Sequence, residues 1–172
     1  MKPGISFAAL ALLALFALLS ACATIGQPAL KVGQSLSEVT DLLGKPTSRY
    51  AMPGGTERIE FASGPMGRHT WMVNLDAGGH VSSWYQALEE WRLHEFQQQG
   101  PGMPRDEVLR LLGRPGERRV GGFQGGELWN YRFPTNECFW FQVSLGDDGR
   151  VRDGTFGIDP RCDAGRGDSA KP

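Results

Sequence analysis

The chain has 172 residues, 40% of them hydrophobic, and its 18 lysines and arginines are nearly balanced by 19 aspartates and glutamates, for a formal charge of −1. No basic run exceeds Arg118-Arg119, so the electrostatic footprint that phosphate backbones demand is missing and nucleic acid is excluded as a partner. Hydrophobic content of this order fits a globular chain with one ordinary core, or two small cores fused across an interface.

Lys2 precedes an almost unbroken apolar stretch over 5–19. The stretch is shorter than the roughly 20 residues of a spanning helix and has the shape of a signal peptide. It ends in Leu19-Ser20-Ala21-Cys22, a quartet that resembles a bacterial lipobox. That resemblance implies cleavage before Cys22 and a diacylglycerol on its thiol. Because Ala23 follows where inner-membrane lipoproteins often carry aspartate, it also implies the outer membrane, facing the periplasm. An ordinary secretory signal with a chance cysteine is the alternative. Several acyl chains hold a domain at a bilayer where one anchors only marginally. The expected segments are a signal peptide over 1–21, whose loss with Lys2 takes the charge to −2, and a lipidated tether over 22–29.

From Gly33 the chain reads GQSLSEVTDLLGKP, and from Gly102 it reads GMPRDEVLRLLGRP, so one helix pattern is written twice at a shift of 69. In the first copy, Ser35 and Glu38 form a capping-box signature, and Leu36, Val39, Leu42 and Leu43 lie at helical spacing. Gly44 and Pro46 stop the helix, as Gly113 and Pro115 do in the second copy. Pro104 replaces the capping serine there and suits the first turn. A further helix is predicted at 88–97, where Leu88, Trp91, Leu93 and Phe96 alternate with charged residues; the shorter segment 28–32 holds the matching place in the first copy. The match continues at a shift of 70, with Glu57 on Glu127, Phe61 on Tyr131, Val73 on Val143 and Gly79 on Gly149. This is the signature of a tandem duplication.

Three strands are predicted after each helix pair, at 57–62, 70–76 and 80–86, then at 127–133, 139–145 and 150–156, with hairpin turns at Asp76-Ala77-Gly78-Gly79 and Gly146-Asp147-Asp148-Gly149. Trp71, Val73 and Leu75, like Phe139, Phe141, Val143 and Leu145, share the face that covers the helices, leaving the other face of each sheet free. The expected fold is therefore α+β, two tandem repeats at 30–87 and 88–163, each a helix pair followed by a three-stranded antiparallel sheet, with a disordered tail at 164–172. Trp140 alternates out of phase with its core neighbours, and of the adjacent pair Trp84 and Tyr85 at least one faces away from the helices. Exposed aromatics mark recognition surfaces, so these three are the partner-binding candidates. A seam between the repeats is the alternative place for them.

Cys138 and Cys162 form an even pair, which an oxidising periplasm is expected to close as a disulfide. His69, His80 and His94 lie in no spacing that completes a metal site, so neither metal nor other cofactor is expected. The glycine-rich run 121–126 lacks the lysine and serine or threonine of a phosphate loop and reads as a connector. No serine or cysteine nucleophile stands at a defensible spacing from a histidine. Asp106 and Glu107 favour a helix dipole. The chain is therefore read as non-enzymatic.

The helix pattern ending in Leu-Leu-Gly-Lys/Arg-Pro, the aromatic strand and the hairpins closing on Gly79-His80-Val81 and Gly149-Arg150-Val151 together resemble the SmpA/OmlA family of BamE-like outer-membrane lipoproteins. The resemblance covers 30–163 twice over and agrees with the lipobox. It implies a non-catalytic protein-binding lipoprotein that assists or stabilises assembly of β-barrel proteins in the outer membrane, with that assembly machinery as partner. The family's familiar member carries one copy, so no contact residue transfers by position. Tandem modules with an aromatic sheet also resemble the β-lactamase inhibitor protein, which implies an enzyme as partner. A lipoprotein that merely supports the envelope is the third reading.

Overall fold

A computed structural model of the protein describes residues 27–121 and 125–164. The expected signal peptide, Cys22, most of the tail and the middle of the glycine-rich connector lie outside the described residues. Helix α1 (Leu36–Leu43) begins at the expected capping box: the Ser35 hydroxyl accepts the Glu38 N–H, and the Glu38 carboxylate accepts the Ser35 N–H at 2.7 Å. Strands β1 (Ser48–Met52), β2 (Thr56–Ser63), β3 (His69–Leu75) and β4 (Val81–Gln86) follow. Helices α2 (Glu90–Gln99) and α3 (Arg105–Leu112) precede β5 (Glu117–Val120), β6 (Glu127–Tyr131), β7 (Phe139–Leu145) and β8 (Val151–Ile158), and a single turn α4 (Arg161–Ala164) closes the described chain.

The expectation of a helix pair and a three-stranded sheet in each half is overturned. The strands form two four-stranded antiparallel sheets, β1-β2-β3-β4 and β5-β6-β7-β8, and apart from α4 the described residues contain three α-helices. The fourth strand of each sheet is an edge strand. Thr47 donates its N–H to Glu60 O at 2.8 Å, and Ser48 pairs with Glu60 through to Met52 with Thr56. The predicted helix at 28–32 is instead a turn, in which Leu30 N–H reaches Pro28 O at 2.8 Å and Gln34 side-chain oxygen accepts the Lys31 N–H. Leu30 is pushed into the core from that turn.

The duplication nevertheless shows in the strand register. Glu57 faces Leu75, Ile59 faces Val73 and Phe61 faces Trp71; seventy residues on, Glu127 faces Leu145, Trp129 faces Val143 and Tyr131 faces Phe141. Both sheets bulge at matching places, between Asn74 and Leu75 and between Ser144 and Leu145.

Two cores result. The first packs Leu30 and Val39 of the α1 side on Ile59, Phe61, Val73, Leu75 and Val81 of the first sheet. The second packs Leu93, Phe96, Val108 and Leu112 of α2 and α3 on Trp129, Tyr131, Phe141, Val143 and Leu145, and takes in Met72 from the opposite face of the first sheet. Burying one such side chain stabilises by about 1.5–3 kcal/mol. The first sheet therefore has no free face: Glu60 and Met72, on the side away from α1, are both fully buried.

Candidate functional site

The face expected to be free is occupied by α3 and the chain leaving it. Gly113 approaches so closely that an added Cβ would meet side-chain atoms of Glu60, Met72 and Thr70, each at 3.0 Å. Glu60 accepts the Tyr50 hydroxyl at 2.5 Å and the Arg114 N–H at 3.2 Å, while the buried Tyr131 hydroxyl donates to Gly113 O at 3.1 Å. Arg58 donates through Nε to Asn74 at 2.7 Å and through Nη1 to Arg110 O at 2.7 Å, and Arg68 donates to Phe133 O and Thr135 O. Of these, the Glu60 bond to Arg114 N–H, the Arg58 bond to Arg110 O and the two Arg68 bonds tie the halves together, each a side chain of the first half on the backbone of the second.

Beside this seam lies a cavity of about 300 Å³, with Ala87, Phe96, Met103, Leu111 and Leu112 as its apolar lining and Glu95 and Gln99 among its polar residues. Tyr85 stands in it between two guanidinium groups, Arg58 at 5.2 Å and Arg92 at 4.7 Å from the ring centroid. Its hydroxyl donates toward the carbonyls of Arg110 and Leu111 at 3.4 and 3.3 Å. Burial pushes that hydroxyl's pKa up and the two arginines pull it back. Arg92 also lies 4.1 Å from the centroid of Trp91 and 3.4 Å from Glu89, so its guanidinium is held between two rings by contacts worth about 0.5–1 kcal/mol each when exposed. An arginine pair over a tyrosine, backed by apolar residues, is suited to anchoring an acidic or aromatic group of a protein partner.

The structure separates the three aromatic candidates. Trp84 is registered with Val73 and packs against the first core, whereas Tyr85, registered with Met72, turns to the seam cavity. Trp140 is only 4% exposed; Arg119 and Arg132 lie over its ring at 5.6 and 5.2 Å, and its indole is close to Gly157 and Gln142 of its own sheet. Arg119, Arg132 and Gly157 all belong to the second half of the chain. Cys138 and Cys162 are joined as a disulfide, with 5.9 Å between their α-carbons. Beside it Arg132 makes a two-pronged ion pair with Asp159, at 2.5 and 2.9 Å, and this pairing holds the Asp159 carboxyl below its ordinary range.

Three contributors escaped the sequence reading. Arg58 and Arg92 carry no motif; one stands on β2 and the other on α2, and only tertiary packing brings both to the Tyr85 ring. Trp91 had a visible signal: relative to Leu93 and Phe96 its position falls on the opposite side of a 3.6-residue helix, and it is 56% exposed. Among the described residues no group of three or more potential ligands is placed to hold a metal ion, and no helix is long and apolar enough to cross a membrane. Compared with protein-family models, with curated proteins and with solved structures, the chain shows no match.

Proposed function

We propose that this chain is an outer-membrane lipoprotein, anchored through Cys22 and facing the periplasm, that acts without turnover as a protein-binding module in β-barrel assembly. The observation that carries the binding part is the seam cavity, where Tyr85 stands between Arg58 and Arg92 over an apolar lining. Tyrosine and arginine dominate interface energetics because each presents a large, preformed contact. The disulfide supports an oxidising compartment. The quartet ending at Cys22 and the twice-written helix pattern support the anchor and the SmpA/OmlA-like role.

Arg92→Ala tests the site. Truncating an interface anchor typically costs about 2 kcal/mol, so the variant is expected to capture far less of the assembly machinery from detergent-solubilised outer membranes while melting like the parent. Unchanged capture overturns the site, and a periplasmic enzyme as sole partner replaces the assembly role with inhibition. The anchor has its own test: Cys22→Ser is expected to leave the outer-membrane fraction, and full retention there overturns lipidation.

A further inference from the structure

The chain enters the fold at a fixed place. Leu30 is buried, Gly33 N–H donates to Val81 O at 2.8 Å and Val81 N–H to Gln34 O at 2.8 Å, so the segment arriving from Cys22 is pinned along the outer edge of β4. Gln27, the first described residue, borders a surface hollow together with Trp71, Trp84, Glu89 and Arg92. Gln27 follows Cys22 by five positions, and a fully extended chain spans at most about 18 Å over five steps. Anything tethered at Cys22 therefore brings this edge to the bilayer surface. Trp71 and Trp84 are half-buried there, and Trp91, whose ring stacks on Arg92, is more than half exposed, its indole N–H held by Glu89 at 2.8 Å.

Resting on the reading of Cys22 as lipidated, we infer that the Trp71–Trp84–Trp91 edge lies against the headgroup layer of the membrane that holds the anchor, with Trp91 as the inserted contact. Indole rings favour the lipid–water interface because one part is apolar and the N–H stays hydrogen-bonded. Charge selects the headgroup. Glu89 and Glu90 flank Trp91, and Arg92 is engaged with Glu89, so the surface that fits is zwitterionic and an anionic one is repelled. Seated in this way, the Tyr85 cavity, which shares Arg92 with the hollow, opens beside the membrane rather than away from it.

The test is quenching of tryptophan fluorescence by lipids brominated near the top of the acyl chains. The mature protein is purified from membranes, its anchor read by intact mass, and reconstituted in zwitterionic vesicles. Quenching is expected in the parent and should fall by about twofold or more in Trp91→Phe, because interfacial indoles lie within reach of such bromines. If the mass shows no lipid, the Cys22 reading fails; the protein is then coupled through the Cys22 thiol to a maleimide lipid and assayed on the same vesicles, so the edge is judged separately. Equal quenching in parent and Trp91→Phe overturns the inference. So does quenching that appears only on anionic vesicles, or an edge shielded instead by a captured protein.

Discussion

Glu60 carries a carboxylate into a fully buried place, and its two hydrogen-bond donors, the Tyr50 hydroxyl and the Arg114 N–H, compensate only in part. Burial holds its carboxyl above the ordinary range against the downward pull of those bonds. The folded chain therefore binds this proton more tightly than the unfolded chain does. Its contribution to stability is fully present below the unfolded value of about 4.3 and is lost as pH rises through the higher folded value. Asp159 acts in the opposite sense, since its lowered carboxyl gives stability that disappears on acidification. Glu60→Gln separates the two, because it buries no charge at any pH: the Arg114 N–H and the Tyr50 hydroxyl bind different carboxylate oxygens, so the amide oxygen can accept the Arg114 N–H while the amide NH2 donates to the Tyr50 hydroxyl oxygen. Urea midpoints from about pH 4 to about pH 8 are expected to fall in the parent relative to the variant as pH rises. Parallel curves would show that the carboxylate is stabilised fully in its ionised form.

At the scale of elements, the second sheet answers the question that Trp140 posed. Glu60, Met72 and Thr70, which meet Gly113 on the first sheet, correspond at a shift of 70 to Asn130, Gln142 and Trp140. The large indole stands where threonine stands in the first sheet, closed in beneath Arg119 and Arg132. Trp140→Thr, which restores the residue of the first copy, is expected to lose about 3 kcal/mol or more by emptying a filled site, seen as a lower melting temperature with partner capture intact. A variant that keeps its melting temperature and loses capture would return Trp140 to the binding surface. The same comparison explains what the sequence left legible. The capping box at Ser35, the Gly-x-Pro stops and strands β2–β4 and β6–β8 stand out because caps and alternating apolar residues are local signals. Strands β1 and β5, reading SRYAM and ERRV, carry no such alternation. They exist because β2 and β6 offer an unpaired backbone edge, a need that no residue within them announces.

At the scale of the whole molecule, the cavity was illegible for a related reason: its walls come from β2, β4, α2 and α3, and only the docking of one half on the other assembles them. Tyr85 could be singled out as an aromatic out of phase, but its arginine neighbours are tertiary facts. The same docking makes the two halves one body, and a pair of equivalent glycines tests it. Gly44 and Gly113 end equivalent helices with φ of +85° and +81°, so alanine at either place suffers the same backbone penalty of about 1–2 kcal/mol. They differ in surroundings. A Cβ at Gly44 meets nothing within 4 Å, whereas one at Gly113 presses on Glu60, Met72 and Thr70. Gly113→Ala is therefore expected to destabilise more than Gly44→Ala, and the excess measures the seam alone. Because Met72 of the first sheet lies in the second core, both variants should still unfold in one transition, followed by tyrosine and tryptophan signals together. Equal losses at the two glycines would mean that the seam yields to a methyl group. A second transition in Gly113→Ala would mean that the halves fold independently and that the Tyr85 cavity opens when they part.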